Sequence, residues 1–121
     1  MNKKVMPWNN NQWNRNNPDE KIDWSLCPKD AKTLDLSYNQ FKELDLSQLP
    51  SSLQTLYLYD NQLKQLDLSQ LPQGLQWLDL SHNQFKELDL SQLPSSLQYL
   101  YLNNNPIEKV IGTKPKDCII Y

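Results

Sequence analysis

The sequence predicts a mostly β solenoid, in which short repeats stack on one another and share one core. The first observation is a period of 22 residues between positions 31 and 110. A unit of that length cannot bury its own apolar side and must pack on its neighbours. Three columns of identical residues carry the period: Leu34, Leu56, Leu78 and Leu100; Leu36, Leu58, Leu80 and Leu102; Asn39, Asn61, Asn83 and Asn105.

The second observation is a two-residue alternation inside each repeat. In residues 55–59, Leu56 and Leu58 alternate with other residues, which is typical of a strand with one buried face. Stacked repeats place such strands side by side and parallel, about 4.8 Å apart. The return half of each repeat, carrying residues such as Phe41 and Leu44, then closes the core from behind. The asparagine after each strand is expected to bond backbone groups of the loop.

Both ends of the chain are expected to act as caps. Residues 22–28 match residues 44–50 after a shift of 22, so a half repeat precedes the first full one. Trp8 and Trp13 are expected to cover the first repeat's open apolar edge. At the other end, residues 112–117 are expected to form a turn, after which Ile119 returns to the strand-leucine position. Whether that last strand associates with another copy of the chain is left open.

The full pattern is L-x-x-L-x-L-x-x-N-x-[LF]-x-x-L, read from Leu53 through Leu66 and again from Leu75 and Leu97. It resembles the leucine-rich repeat family over roughly residues 22 to 111. Each repeat ends in Leu-Pro, two small or polar residues and the next leucine. That ending is similar to the L-P-x-x-L form of leucine-rich repeat effectors that bacterial pathogens secrete into host cells.

The resemblance implies an α/β-type solenoid that is mostly β. We expect a right-handed superhelix of about four 22-residue coils, with a parallel concave sheet and an irregular or 3₁₀ convex side. The expected organisation is an N-terminal cap and half coil at 1–30, repeats at 31–52, 53–74, 75–96 and 97–110, and a C-terminal cap at 111–121.

Composition excludes several classes of protein. The chain of 121 residues has room for one domain with one core. A net charge of −2 and a pI near 5.2 argue against a nucleic-acid partner, which requires a clustered basic surface. Lys42, Lys64 and Lys86 form a column, but Glu43 and Glu87 beside them indicate a solvated flank.

The chain has no apolar run long enough for a cleavable signal peptide or a membrane span, so we expect a cytoplasmic protein. Export by a bacterium into the host cell cytoplasm through an uncleaved signal stays compatible with this. Cys27 and Cys118 lie on the order of 19 Å apart at strand spacing, beyond the ~7 Å limit for a disulfide. Cys27 also falls in a leucine register, which favours a small buried hydrophobic side chain.

Catalysis finds little support, and the chain is expected not to be an enzyme and to need no cofactor. With His82 as the single histidine and two glycines, no serine elbow, phosphate loop or metal spacing is present in the sequence. One aspartate per repeat, as in Asp45 and Asp67, supplies too few ligands for calcium. The column Asp23, Asp45, Asp67 and Asp89 is instead expected to cap local turns.

The positions that the repeat leaves free are the candidate binding site. The resemblance implies that non-leucine strand residues and the residues following them point onto the concave face. Six of these sixteen positions are Tyr or Trp, the residue types of binding hot spots. The predicted partner-binding residues are Thr33, Asp35, Tyr38, Thr55, Tyr57, Tyr59, Asp60, Trp77, Asp79, His82, Tyr99, Tyr101 and Asn103.

This face predicts a partner protein that presents Arg or Lys among apolar groups. The hypothesis is a monomeric interaction module, a bacterial effector or effector regulator that inhibits or retargets an enzyme by steric blocking. The alternative is a structural adaptor or a piece of a longer repeat array without binding activity of its own, because aromatic residues also stiffen sheets. Residues 35–54 and 79–98 match at nineteen of twenty places, so duplication also accounts for part of the pattern.

Overall fold

The computed structural model describes Ile22 and residues 24–121, so the predictions for Trp8, Trp13 and Asp23 lie outside the described residues. These residues form short strands separated by 3₁₀ turns. The strands are β1 (Thr33–Asp35), β2 (Thr55–Tyr57), β3 (Trp77–Asp79), β4 (Glu87–Asp89), β5 (Tyr99–Tyr101), β6 (Lys109–Ile111) and β7 (Ile119–Ile120). The 3₁₀ turns are Trp24–Leu26, Leu46–Gln48, Leu68–Gln70 and Leu90–Gln92.

Five of the strands form one parallel sheet in the order β1-β2-β3-β5-β7. Leu34, Leu56, Leu78 and Leu100 lie opposite one another in register, as the 22-residue period predicts. The same leucines are at most 1% exposed, while the strand residues on either side of each are partly exposed. The sheet therefore has one face in the core and one open face.

The core lies between this sheet and the returning limb of each repeat. Leu63, Phe85 and Leu46 close it from the returning side, and Leu53, Leu75 and Leu97 fill it before each strand. Burial of one such side chain contributes about 1.5–3 kcal/mol, so stability comes from the stack as a whole.

Cys27 and Cys118 are buried and free, in agreement with the prediction. Burial raises the pKa of the Cys27 thiol to about 11, which leaves it protonated at neutral pH. A buried thiol in that state is a poor nucleophile and behaves as a small apolar side chain.

The asparagine column connects consecutive repeats through backbone hydrogen bonds. The Nδ2 of Asn61 donates to the carbonyl of Leu58 in its own repeat at 3.0 Å and to that of Leu36 in the previous repeat at 3.2 Å. Its Oδ1 accepts from the backbone N–H groups of Asn39 and Phe41, both at 3.0 Å. One side chain thus satisfies four backbone groups of two repeats, which confirms the predicted structural role.

The same pattern recurs along the column. Asn83 and Asn105 each donate to two leucine carbonyls 22 residues apart, at 3.0 Å in every case. At the first position, the Oδ1 of Asn39 is buried and has no partner among the described residues.

Aspartates begin three of the 3₁₀ turns, which confirms the predicted caps. The carboxylates of Asp45, Asp67 and Asp89 accept from the backbone N–H two residues later, at 3.0, 3.2 and 3.0 Å. The serine hydroxyl at that position donates to the same oxygen.

A second, two-stranded parallel sheet on the returning limb was not expected from the sequence. It pairs β4 with β6, with Leu88 opposite Val110. Gly112 follows β6 at a φ of +79°, and a Cβ there would lie 2.7 Å from both Asp89 Oδ1 and Ser91 N. Glycine is required because the chain passes directly over this turn cap.

The last strand differs from the prediction. Tyr99 pairs with Ile119 and Leu100 with Ile120, so the final repeat spans 20 residues instead of 22. Ile120 therefore occupies the leucine position, and Ile119 points to the open face with 49% of its surface exposed. The expectation that Ile119 takes the strand-leucine position was wrong, because the hydrogen bonds of β7 pair Ile119 with Tyr99 and place Ile120 in the leucine row.

We predict that Asn61→Ala destabilises the protein by about 1–3 kcal/mol, because it leaves four backbone groups of two repeats without a partner. Urea unfolding measures the change in free energy of unfolding. Gln62→Ala, at an exposed neighbouring position, is the control and should change it little. Equal unfolding curves for Asn61→Ala and wild type would contradict the role of the asparagine column.

We predict that acidification destabilises the protein partly through Asp45 and Asp89. The hydroxyl and the backbone N–H of the serine two residues later hold the pKa of each carboxyl below its ordinary value of 3.8. A carboxyl with a lowered pKa in the folded state contributes stability above its unfolded pKa and loses that contribution as the pH falls through the folded pKa.

The double variant Asp45→Asn and Asp89→Asn should therefore lose less stability than wild type between pH 5 and strongly acidic pH. Urea unfolding at a series of pH values measures this difference. The same dependence on pH in both proteins would show that these caps do not contribute.

Candidate partner-binding face

The open face of the five-stranded sheet consists of the strand residues that alternate with the buried leucines. Thr33, Thr55, Trp77 and Tyr99 form one row across β1, β2, β3 and β5, and Asp35, Tyr57, Asp79 and Tyr101 form the next. All eight are partly exposed. The parallel register therefore brings eight of the thirteen predicted binding residues together on one surface.

The loops after the strands extend this surface. Tyr59 and Asp60 are partly exposed, and Tyr38, His82 and Asn103 are exposed. Ser37 and Ser81 are two of the sixteen positions that were expected to point onto the open face, but they are buried. Each hydroxyl donates to the aspartate two residues earlier, which turns the serine into the loop.

Four rings at the C-terminal side of the open face form what we call the aromatic stack: Trp77, Tyr99, Tyr101 and Tyr121. The ring centroids of Trp77 and Tyr101 lie 5.3 Å apart with an interplanar angle of 25°. Those of Tyr101 and Tyr121 lie 4.7 Å apart at 16°. The ring of Tyr99 is tilted by 43° against that of Trp77 at 4.9 Å. Because these rings cover one another's faces, the stack presents mainly ring edges and hydroxyl groups.

Tyr121 was missed by the sequence analysis. It is 54% exposed and follows β7, where it stacks on Tyr101 across the sheet. The signal was hidden because a strict 22-residue repeat places position 121 opposite Tyr99 instead of Tyr101. A two-residue deletion in the last repeat, sought by aligning Ile120 with Leu100, would have revealed it.

Three rings at the N-terminal side form the tyrosine cluster: Tyr38, Tyr57 and Tyr59. Tyr59 contacts Tyr38 at 5.3 Å and Tyr57 at 6.0 Å between ring centroids, in both cases with an interplanar angle of 83°. In such edge-to-face pairs one ring of each pair keeps an uncovered face. Tyr38 is 61% exposed, the largest exposure of any large hydrophobic side chain among the described residues.

The residue before each asparagine of the asparagine column has a left-handed backbone. The φ angles are 60° at Tyr38, 56° at Asp60, 56° at His82 and 61° at Asn104. Aspartate and asparagine adopt this conformation more readily than tyrosine, for which it costs roughly 1 kcal/mol or more. The hydrogen bonds of the asparagine column hold the loop in this shape. The backbone therefore sets the direction in which the side chain before each asparagine points.

The open face is acidic. Among the described residues that form it, the charged side chains are Asp35, Asp60 and Asp79, and lysine and arginine are absent. One oxygen of Asp35 and one of Asp79 accept bonds from the following serine, so these two carboxylates also serve the loops. Asp60 instead lies beside Tyr38. Its negative charge is the largest cause of the raised pKa of the Tyr38 hydroxyl.

Burial raises the pKa of the Tyr101 hydroxyl, with the neighbouring Tyr121 and Asp79 as further causes. Both Tyr38 and Tyr101 therefore stay protonated at neutral pH and can donate hydrogen bonds. The indole Nε1 of Trp77 is buried and has no partner within the described residues.

Within residues 22 and 24–121, no group of three or more His, Cys, Asp or Glu side chains is placed to hold a metal ion. No helix of this part of the chain is long and apolar enough to cross a membrane. Lys42, Lys64 and Lys86 are exposed beside Glu43 and Glu87 on the returning limb, as expected for a solvated flank.

Two family models match the chain. One, described as leucine rich repeat, matches residues 29–85, and the other, described as leucine rich repeats in two copies, matches residues 73–112. Together they span the asparagine column and strands β1 to β6. No curated protein and no solved structure matches the chain.

We predict that Asp60→Asn lowers the pKa of Tyr38, because it removes the negative charge that raises this pKa most. An NMR titration of ring-labelled tyrosine measures the pKa. Asp79→Asn is the matched control, since the charge of Asp79 affects Tyr101 and is not among the causes at Tyr38. A Tyr38 pKa that does not change in Asp60→Asn would contradict this contact.

Proposed function

Because the chain belongs to the leucine-rich repeat family, whose members generally mediate protein–protein interaction, we propose that it binds a partner protein through the open face. One observation carries this proposal: seven tyrosine and tryptophan side chains converge on one partly exposed sheet face. Tyr and Trp combine large rigid surfaces with a polar group, which suits them to binding sites. The family resemblance predicts that this face is concave.

The charges and rings of the face favour a partner that presents Arg or Lys among apolar groups. Unlike Asp35 and Asp79, Asp60 does not accept a hydrogen bond from a serine two residues later. The edge-to-face rings of Tyr38 and Tyr59 lie beside its carboxylate. A cation can approach there through ion pairing and through an uncovered ring face. The aromatic stack offers edges and hydroxyl groups instead, which suit apolar and hydrogen-bonding groups of the same partner.

The extent of the face favours action by occupancy. Strands about 4.8 Å apart give a strip of the order of 800 Å², the share that each partner contributes to a standard interface. Such a strip can cover a loop, a helix or the rim of an active site. We therefore propose that the protein inhibits or retargets an enzyme by steric blocking, without chemistry of its own.

The class of protein to which the chain belongs within this family, and its location in the cell, are also proposals. The Leu-Pro ending of each repeat supports a bacterial effector or effector regulator, acting in the cytoplasm of the bacterium or, after translocation, of a host cell. Detection of the tagged chain in the cytosol of infected cells, or its absence there, tests this. A right-handed winding, about four coils and repeat boundaries at residues 31, 53, 75 and 97 are further proposals from the same resemblance.

A structural adaptor, or a piece of a longer array without binding activity, is the second candidate. The observation that favours it is the mutual stacking of Trp77, Tyr99, Tyr101 and Tyr121, which itself stabilises neighbouring strands. The two candidates differ in the tyrosine cluster, because the exposed ring of Tyr38 has little surface to contribute to strand packing.

We predict that Tyr57→Ala or Tyr38→Ala weakens binding by about 2 kcal/mol, roughly 30-fold in Kd, with a small change in Tm. The partner is first identified by co-purification from bacterial and host lysates, and calorimetry then measures Kd for each variant. Lys64→Ala on the returning limb is the control and should bind as wild type. Unchanged affinity in both tyrosine variants, or a saturable partner lost only in Lys64→Ala, would contradict the proposal.

A further inference from the structure

Exposed apolar side chains are concentrated at the C-terminal end of the solenoid. Of the five large hydrophobic residues exposed in the described part of the chain, Tyr38 belongs to the tyrosine cluster. The other four are Val110, Ile111, Ile119 and Tyr121, which are 49%, 44%, 49% and 54% exposed. Such a concentration is typical of an interaction surface.

The same end carries one edge of each sheet that pairs with no further strand among the described residues. β7 is the last strand of the five-stranded sheet, and β6 is the last strand of the two-stranded sheet. Free strand edges expose backbone donors and acceptors that can pair with another strand.

The hydrogen bonds of β7 identify which backbone groups are free. The N–H groups of Ile119 and Tyr121 donate to Gln98 and Leu100 in the neighbouring strand, both at 2.9 Å. Successive residues of a strand direct these groups to opposite edges, so the N–H and C=O of Ile120 point away from the sheet. In β6, the backbone N–H of Lys109 donates inward to the carbonyl of Lys86 at 3.1 Å. The N–H and C=O of the next residue, Val110, therefore point outward.

We propose that this end binds a second copy of the chain through a two-fold axis that passes Ile120 and Val110. β7 then pairs antiparallel with β7 of the second copy, and β6 with β6. In an antiparallel pair, two residues that lie directly opposite can exchange both of their N–H···O=C bonds. When a strand pairs with the same strand of a second copy across a two-fold axis, the residue on the axis supplies both the donor and the acceptor.

Side chains fit this register. With Ile120 opposite Ile120 of the second copy, Ile119 lies opposite Tyr121 of that copy on the open face. An aliphatic β-branched side chain opposite an aromatic ring is a favourable cross-strand pair, and both side chains are about half exposed in the single chain.

Charge also favours a second copy as the occupant. Residues 108–117 contain Glu108 and Asp117 against Lys109, Lys114 and Lys116, so this end is nearly neutral. Two such ends repel each other little, whereas a strongly charged partner gains nothing from them. The acidic open face, by contrast, selects a basic partner, so the two surfaces serve different interactions.

The dimer joins two five-stranded sheets edge to edge into one of ten strands. It also covers the outer side of Tyr121, and the two aromatic stacks become neighbours across the axis. The protein thereby presents two open faces with a fixed separation, which departs from the monomer expected from the sequence.

Sedimentation velocity over micromolar to millimolar concentrations tests the proposal. The expected mass of wild type rises from 14.3 kDa towards twice that value. Val110→Lys places a charge at the axis and should keep the chain monomeric, and Tyr38→Ser, which removes the exposed hydrophobic ring outside this end, should dimerise as wild type. Circular dichroism and Tm establish that each variant is folded.

A cross-linking experiment tests the register directly. Residues directly opposite in an antiparallel hydrogen-bonded pair have Cα atoms about 5.5 Å apart, within the range of a disulfide. Val110→Cys should therefore form a disulfide-linked dimer on mild oxidation, while Tyr38→Cys should not.

Three results would overturn the proposal. The first is a monomer at all concentrations together with equal cross-linking of Val110→Cys and Tyr38→Cys. The second is a dimer that Tyr38→Ser abolishes and Val110→Lys leaves intact. The third is a series of masses beyond two chains, which indicates head-to-tail stacking without a two-fold axis.

Discussion

The asparagine column is the interaction on which the rest of the structure depends. At the end of each strand the chain bends into the core, and its backbone groups would lose their contact with water without a partner. Asn61 satisfies two carbonyls and two N–H groups belonging to two repeats. Because three of these four bonds cross from one repeat to the next, the column sets the strand register, and the register determines which side chains share the open face.

The open face combines structural and binding features in the same residues. Asp35 and Asp79 bond the serine that follows them, and Trp77, Tyr101 and Tyr121 stack on one another, so part of this surface stabilises the sheet. The tyrosine cluster differs, because its rings meet edge to face and Tyr38 projects from a left-handed position. Binding energy is therefore expected mainly where the local packing leaves ring faces and the Asp60 carboxylate uncovered.

Several structural features could be predicted because they depend on residues close together in the chain. The buried leucines of β1, β2, β3 and β5 follow from a two-residue alternation, and the caps of Asp45, Asp67 and Asp89 bond residues two positions away. The rows of the open face follow from the same period once the strands are parallel. Local spacing could not reveal the β4–β6 sheet, because β6 is exposed along its whole length and its side chains carry no strong pattern.

The sequence by itself determined the repeat, the core face and the chemical character of the open face, because a 22-residue period forces like residues into the same column. Only the tertiary structure decided the end of the solenoid. There the last repeat is two residues short, so Ile120 enters the leucine row and Tyr121 joins the aromatic stack. The physical reason is that β7 aligns with β5 by hydrogen bonds and leucine packing, and these contacts outweigh the spacing that the repeat would dictate.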